Sequence, residues 1–143
     1  MFIGEYSHTV DEKGRLAIPK KFQAKLKAGA VVTRGLDQCL FLYTKKDWQQ
    51  LADRIAKLPI SQANTRAFSR LMLAGAMDVE LDKQGRVVLP DYLRQYASIA
   101  KKVVVAGLMN RLEVWDVKEW EAYKSTTERT SGDIAENLGE LGV

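Results

Sequence analysis

A ten-residue motif occurs twice in this 143-residue chain, and a duplication of this kind limits the folds available to it. The copies occupy residues 10–19 and 81–90, and each is an apolar residue, an Asp, two polar residues, a Gly, an Arg, three apolar residues and a Pro. Asp at the first position of a turn and Gly at the fourth are typical of a type I turn in a hairpin, because glycine accepts a positive φ there. The motif therefore predicts two hairpin turns. The turn-forming residues are Asp11, Gly14, Asp82 and Gly85.

The duplication extends well beyond the motif. Residues 4–11 align with residues 75–82 at an offset of 71, and the alignment continues at an offset of 72 as far as Trp48 and Trp120. We therefore predict two homologous halves with a spacer between them. The expected units are a first half at 1–58, a helical spacer at 59–71, a second half at 72–122 and a C-terminal tail at 123–143.

Each half shows the same order of patterns. Alternating polar and apolar residues predict a strand before each turn and another after it. A short helix is expected after each motif proline, because proline is tolerated in a first helical turn. Two more strands follow, at 30–34 and 39–43 in the first half and at 102–106 and 111–115 in the second. Each half thus has the order ββαββ, which predicts an α+β fold with a mainly β core.

The helix that follows each half has a recognisable start. Thr44 with Asp47 has the spacing of a capping box, and so does Asp116 with Glu119. The aromatic pairs beside them, Tyr43 with Trp48 and Trp115 with Trp120, stand at the positions of a hydrophobic staple. A further helix is expected after Ser61 as its cap, and the last helix is expected at 117–125. Residues 126–143 are polar and predict a mobile tail or a weak helix.

The charge distribution and the low counts of cysteine and histidine limit the classes of protein to which the chain can belong. The net charge is +4, but the first 60 residues carry +5 and residues 121–143 carry −3. A basic half and an acidic tail suit a surface that binds a polyanion, but on charge alone the favoured explanation is that the charge keeps the protein soluble. A single cysteine and a single histidine exclude an internal disulfide and favour a cytoplasmic protein with no metal site. Neither a signal peptide nor a membrane span is expected, and no cofactor motif is present.

Catalysis has little support in the sequence. A nucleophile with an adjacent base would have to use Cys39 and His8, and His8 occupies an inward-facing strand position. One alternative is a pair of carboxylates, Asp11 and Asp82, acting as acid and base. The role of each Asp in its turn is the stronger explanation, and we do not expect an enzyme.

The motif arginines are better placed for a function. A guanidinium can bind phosphate or guanine with two hydrogen bonds, and a two-stranded ribbon fits the DNA major groove. The alternative is that each Arg only pairs with the Asp four residues before it and stiffens the hairpin. These two interpretations are compatible. The candidate DNA-binding residues are Lys13, Arg15, Lys20, Lys21, Lys83 and Arg86.

Three further short motifs accompany the repeated ten-residue motif: the opening Met-Phe-x-Gly, Leu-x-Gly at 73–75 and Leu-Glu-Val-Trp at 112–115. Together these features resemble the MraZ family of bacterial transcriptional regulators over about residues 1–125. Each half is similar to an AbrB-type swapped-hairpin unit. The resemblance therefore implies a double-split β-barrel built from two AbrB-like ββαββ halves with flanking helices.

The resemblance also implies a function and partners. It implies a cytoplasmic, nucleoid-associated repressor that binds short direct repeats in double-stranded promoter DNA upstream of its own division and cell-wall gene cluster. Members of the family assemble into rings, so a homo-oligomer is expected. DNA contact is attributed to the two Asp-x-x-x-Arg hairpins. The alternatives are an AbrB-like antitoxin or interaction module that binds a partner protein through the acidic tail, and an aspartyl hydrolase.

Overall fold

The computed structural model describes residues 1–142 and contains eight strands and six α-helices in that range. The strands are β1 Phe2–Thr9, β2 Arg15–Ala17, β3 Ala30–Arg34, β4 Leu40–Thr44, β5 Met77–Val79, β6 Arg86–Val88, β7 Lys102–Met109 and β8 Leu112–Asp116. The helices are α1 Lys20–Gln23, α2 Lys45–Ala56, α3 Ala63–Ser69, α4 Asp91–Tyr96, α5 Val117–Arg129 and α6 Ser131–Asn137. Short 3₁₀ turns follow α1 and α6, and a π-helical turn, Arg70–Ala74, follows α3.

Four of the six strand pairs join one half of the chain to the other. Six strands form one sheet in the order β1-β7-β8-β4-β3-β5, and β2 pairs with β6 in a separate two-stranded ribbon. All pairs are antiparallel. The pairs β1–β7, β5–β3, β4–β8 and β2–β6 each join one half to the other. The expected α+β fold with a mainly β core is confirmed, and the strand pairs that join the halves make it a single folded unit.

The main core lies between the six-stranded sheet and the ribbon. Leu16 of β2 faces Val87 of β6 in register, and both side chains are fully buried. Phe22 after the first motif and Leu93 after the second join the same cluster, in equivalent places of the two halves. The motif therefore contributes apolar residues to the core and leaves its arginines on the opposite face of the ribbon, because successive strand residues point to opposite sides.

The other face of the large sheet is covered by the long helices. A second apolar cluster contains Phe41, Tyr43, Met72 and Trp115, packed against side chains of α2, α3 and α5. The hydroxyl of Thr33 is buried and donates to the carbonyl of Met72 over 2.6 Å, which ties the π-helical turn to the sheet. Helices α2, α3 and α5 thus lie on the side of the sheet away from the ribbon.

The predicted helix starts are largely confirmed. The Thr44 hydroxyl accepts from the backbone N–H of Asp47 over 3.1 Å, as in a capping box, and the Tyr43 and Trp48 rings are in contact. Asp116 caps α5 but accepts from the N–H of Lys118 instead of Glu119, while its other oxygen accepts from Ala100. Asp116 is therefore both a helix cap and a tie to the preceding loop.

Two expectations for the helices are wrong. The residue before α3 is Gln62, with no side-chain cap, so Ser61 does not cap that helix. Instead the Thr65 hydroxyl donates to the carbonyls of Pro59 and Gln62 and closes the turn from within the helix. Helix α5 continues to Arg129, four residues beyond its expected end. The seven-residue helix α6 lies within the segment for which the sequence predicts a mobile tail or a weak helix.

A core substitution should test whether the two halves share one fold. Leu112 is fully buried and pairs with Leu42 of the other half, so Leu112→Ala should lower the free energy of unfolding by about 2–5 kcal/mol. Leu108, in the same hairpin but 38% exposed, gives the control Leu108→Ala, with a smaller loss. Urea unfolding followed by circular dichroism and tryptophan fluorescence should give one shared transition. Two separate transitions would contradict a single interlocked core.

Candidate nucleic-acid interface

The two motif turns have the same hydrogen bonds. In the first, the N–H of Gly14 donates to the carbonyl of Asp11 over 2.9 Å, and the N–H of Asp11 donates to the carbonyl of Arg15 over 3.1 Å. The second turn repeats these bonds between residues 82, 85 and 86 at 2.8–3.0 Å. The glycines have φ of 81° and 77°, a region that favours glycine. The turn chemistry predicted from Asp and Gly is therefore confirmed in both copies.

Each turn aspartate also holds the arginine that follows. One oxygen of Asp11 accepts from the backbone N–H groups of Lys13 and Arg15, and the other accepts from the Arg15 side-chain Nε over 2.6 Å. In the second copy the Arg86 Nε donates to Asp82 over 2.8 Å. The predicted Asp–Arg pairing is thus present. Because the carboxylate takes only Nε, the terminal guanidinium nitrogens of both arginines have no recorded partner among residues 1–142.

The ribbon brings both arginines to one surface. Arg15 lies opposite Val88 and Arg86 lies opposite Ala17, so these four residues form the outer face of the ribbon. Diagonal neighbours of this kind have Cα atoms about 7–8 Å apart. Sequence analysis predicted two hairpin tips but not that they would share a face. We call this surface the arginine ribbon, defined by Arg15, Ala17, Arg86 and Val88.

The arginine ribbon is continued at both ends by the turns. The N–H of Leu89 donates to the carbonyl of Gly14, and the N–H of Ile18 donates to the carbonyl of Gly85. Each turn glycine therefore pairs with the strand end of the other half. From Gly14 to Ile18 the ribbon spans four residue steps, about 13 Å at the usual rise of a strand. One turn stands at each end of this length.

The predicted lysines differ in their placement. Lys13 and Lys83 are exposed, one on each turn, and Lys20 is exposed at the start of α1. Lys21 is exposed too, but its ammonium lies 5.6 Å from the centre of the Tyr6 ring and 5.5 Å from that of Phe22. Lys21 is therefore directed against β1 and has a structural role through these cation–π contacts.

Two cations beside the first turn, Arg94 and Lys101, were not among the candidate residues from the sequence. A groove of about 550 Å³ is lined by Asp11, Lys13, Arg15, Arg94 and Lys101, among others. The Arg94 Nε donates to the carbonyl of Leu89 over 3.0 Å, and its guanidinium packs against Gly14 of the other half.

In the internal repeat, the residue equivalent to Arg94 is Gln23 of the first half. The Gln23 amide donates to the carbonyl of Ile18 and packs against Gly85 in the same manner. Each side chain therefore supports the turn glycine of the opposite half. In the second half this supporting residue also carries a positive charge.

The electrostatics of the turns favour ionised carboxylates. The backbone N–H of Arg15 donates to Asp11 and is the chief cause that lowers the pKa of that carboxyl from its ordinary value of 3.8. Asp82 has a lowered pKa for the corresponding reason, with Arg86 as donor. Both groups are therefore charged at neutral pH, and each Asp–Arg pair persists under those conditions.

The paired-carboxylate alternative does not agree with this geometry. Asp11 and Asp82 stand at opposite ends of the ribbon, and each binds its own arginine. They cannot share a proton in the manner of an acid–base dyad.

The nucleophile that the sequence offered, Cys39, is not activated. Burial raises the pKa of the Cys39 thiol, which keeps it protonated and unreactive at neutral pH.

Residues 1–142 contain no group of three or more His, Cys, Asp or Glu side chains placed to hold a metal ion. In the same range, no helix is both long and apolar enough to cross a bilayer.

The fold and this surface define a class: an internally duplicated α+β protein that presents a pair of arginines, one from each half, on a short ribbon. Comparison with known proteins agrees with the duplication. A family model described as "MraZ protein, putative antitoxin-like" matches the chain twice, over residues 1–71 and residues 72–138.

Full-length relatives carry the same family name. A "Transcriptional regulator MraZ" of Herpetosiphon aurantiacus is 50% identical over 143 residues, covering all of both chains. A protein of the same name from Halothermothrix orenii is 45% identical, again over the whole of both chains. The chain therefore belongs to the MraZ family, which is a family of transcriptional regulators and not of enzymes.

The lowered pKa of the turn carboxyls predicts how stability depends on pH. A depressed pKa stabilises the fold above the unfolded value, and this stability is lost as the pH falls through the folded value. Between about pH 5 and about pH 3, the free energy of unfolding should fall more steeply for the natural chain than for Asp11→Asn/Asp82→Asn. Asn keeps an oxygen for the backbone donors, so the turns remain folded.

Urea unfolding at a series of pH values measures this difference. Glu12→Gln is the matched control, because Glu12 is exposed in the same turn and no recorded hydrogen bond within residues 1–142 involves its side chain. That variant should keep the slope of the natural chain. Equal slopes in the natural chain and the double Asn variant would contradict the argument.

Proposed function

We propose that this chain is a sequence-specific DNA-binding repressor and that the arginine ribbon is its contact surface. The single observation that carries the proposal is that both motif arginines lie on the outer face of one ribbon, each oriented by its own aspartate. The family supports the coarse role of a transcriptional regulator, and the geometry of the ribbon supports the choice of contact surface.

The dimensions of the ribbon suit the major groove of B-DNA. The groove is about 12 Å wide and admits a two-stranded ribbon, and the arginine ribbon is about 13 Å long between its turn glycines. Two base-pair steps span about 6.8 Å along the duplex, close to the separation of about 7–8 Å expected between Arg15 and Arg86. The two guanidinium groups can therefore address bases two steps apart.

The hydrogen bonds that order the two arginine side chains favour recognition of specific bases in DNA. Each Nε is held by a carboxylate, so the side chain is already ordered before DNA binds, and less rotamer entropy is lost on binding. The terminal nitrogens remain available for two parallel hydrogen bonds to the O6 and N7 atoms of a guanine. Asp11 and Asp82 are then positioning residues, and Arg15 and Arg86 make the contact.

The lysines and the missed cations supply phosphate contacts in this proposal. Lys13, Arg94 and Lys101 surround the first turn, whereas the second turn has Lys83 and the neutral Gln23. The residue that follows the motif differs in the same direction: it is the exposed Lys20 in the first half and Asp91 in the second. We therefore expect the first turn to contribute more of the affinity.

The biological setting of the proposal rests on the family resemblance. We infer a cytoplasmic, nucleoid-associated protein that binds short direct repeats in the promoter of its own division and cell-wall gene cluster. One chain offers one small ribbon, which would bind weakly alone. Copies joined in a ring can engage successive repeats, and the gain then comes from effective concentration. Repression follows because the bound ring occupies the promoter.

Substitution of the arginines tests the contact surface. Arg15→Ala should weaken binding to the duplex upstream of the chain's own gene by about 5- to 150-fold, because a bidentate contact is worth about 1–3 kcal/mol. Arg86→Ala should have an equal or smaller effect. Lys46→Ala is the control, because Lys46 is exposed on α2, on the side of the sheet away from the ribbon. Unchanged affinity in both arginine variants would overturn the proposal.

Salt dependence separates base contacts from phosphate contacts. Lys13→Ala should weaken binding to all duplexes alike and reduce the slope of log affinity against log salt by about one. Arg15→Ala should instead reduce the preference for the promoter duplex over a scrambled one. Fluorescence anisotropy on both duplexes at several salt concentrations measures these two quantities. An equal effect of Arg15→Ala on both duplexes would exclude base recognition by that residue.

A further inference from the structure

The face of the large sheet that carries the helices has two corresponding places beside its centre. Phe41 of β4 lies opposite Glu113 of β8. Along the same cross-strand row, Thr33 of β3 lies beside Phe41, and Ala106 of β7 lies beside Glu113. Because β3 and β4 belong to the first half and β7 and β8 to the second, Thr33 and Ala106 occupy corresponding places on either side of the central pair.

Part of the chain covers the place beside Thr33. The Thr33 hydroxyl donates to the carbonyl of Met72, and Nη1 of Arg34 donates to that of Leu71 over 3.3 Å. Both carbonyls belong to the π-helical turn that follows α3, and the Met72 side chain is buried in the same apolar cluster as Phe41. The π-helical turn therefore fills this place.

The place beside Ala106 is an open pocket of about 520 Å³. Ala106 presents only a methyl group there, and the rings of Phe41, Trp115, Trp120 and Tyr123 line the pocket with it. We call this site the aromatic pocket, defined by these five residues. Its volume lies within the range of about 300–1,000 Å³ that is usual for small-molecule sites. The second half therefore has a cavity where the first half has a piece of its own chain.

The aromatic rings of the pocket are held in place by one another and by carboxylates. The ring centre of Trp115 lies 5.4 Å from that of Trp120 and 5.0 Å from that of Tyr123. The indole N–H of Trp115 donates to Glu113, and that of Trp120 donates to Glu5, each over 3.0 Å. Since both indole donors are in use, the two tryptophans offer a ligand their ring faces. The face of an aromatic ring attracts a cation.

The charges around the pocket also favour a cation. Its lining includes three carboxylates, Glu5, Asp37 and Glu113, and one guanidinium, that of Arg111. Glu113 accepts from Nε and Nη2 of Arg111 over 3.0 and 2.9 Å, and Glu5 is paired with Lys124 over 2.7 Å. Asp37 is exposed and takes part in no recorded ion pair among residues 1–142. Asp37 therefore supplies a negative charge that no neighbouring cation balances.

We propose that the aromatic pocket binds a small organic cation. The ammonium group of the ligand faces Asp37 and the aromatic rings, and its apolar groups lie over Ala106. An anion is disfavoured, because the guanidinium of Arg111 is already bound to Glu113. The pocket lies on the helix side of the sheet, away from the arginine ribbon, so this proposal does not depend on the DNA contact.

Fluorine NMR of the full chain labelled with 5-fluorotryptophan tests the site, with benzyltrimethylammonium as the probe. The chain has three tryptophans, of which Trp115 and Trp120 line the pocket, whereas Trp48 lies on α2 and contacts Tyr43. The resonances of Trp115 and Trp120 should therefore shift and saturate as the probe is added, while that of Trp48 stays in place. Benzenesulfonate, an anion of similar size, should shift none of the three.

Removal of the unbalanced charge tests the preference for a cation. Asp37→Asn should raise the concentration of probe at half-saturation by about 2- to 5-fold, as expected for an exposed charge pair. Asp37 has a positive φ of 66°, which asparagine tolerates, so the loop keeps its shape. Asp78→Asn is the matched control, because Asp78 is exposed on β5, at the edge of the sheet farthest from β1. That variant should bind the probe like the natural chain.

Two further variants test the location of the site. Ala106→Leu places a larger side chain in the pocket and should abolish the saturable shift, and Tyr123→Ala removes one ring and should weaken binding by about 2- to 5-fold. Arg15→Ala should bind the probe normally, because the ribbon is on the other side of the sheet. Circular dichroism should match the natural chain in every variant.

Three results would each overturn the proposal. The first is a natural chain in which the probe shifts neither Trp115 nor Trp120. The second is an equal response to benzenesulfonate, which would show that the pocket does not prefer a cation. The third is an unchanged titration in both Ala106→Leu and Tyr123→Ala, which would place the binding elsewhere.

Discussion

The pairing of β2 with β6 is the constraint on which the rest of the structure depends. Two three-residue strands from separate halves form a ribbon, and each turn glycine is bonded to the strand end of the other half. A ribbon this short has little stability of its own, so its position depends on Leu16 and Val87 in the core below it. Without the second half, neither motif has a partner strand. The duplication therefore supplies each motif with its partner strand.

Because β2 pairs with β6, each motif combines a structural role with its proposed role in DNA contact. The Asp and Gly of each turn satisfy the backbone, and the apolar residues after the Arg fill the core. The arginine itself points away from the core and is held at Nε by its aspartate. The structural and functional explanations of the Asp–Arg pair thus agree. An ordered guanidinium with two nitrogens available suits the recognition of DNA better than a flexible one.

Local features of the fold were predictable because their causes lie within a few residues. The turns follow from Asp and Gly, and the helix starts follow from Thr44 and the aromatic staples. The pairing of strands was not predictable. Alternating polar and apolar residues show which face of a strand is buried, but not which strand lies beside it. Arg94 was missed for a related reason, since its contact with Gly14 crosses 80 residues of sequence. The arginines were found because the repeat marked them, but their common face appeared only with the strand register.

The central claim is that one ribbon, built from both halves, contacts DNA. The most direct measurement is a crystal structure of the chain bound to a duplex carrying the sequence upstream of its own gene. The account predicts the outer face of β2 and β6 in the major groove, with Arg15 and Arg86 of one chain contacting bases of the same duplex. DNA lying against α2 and α5, or contacts from only one of the two arginines, would contradict it.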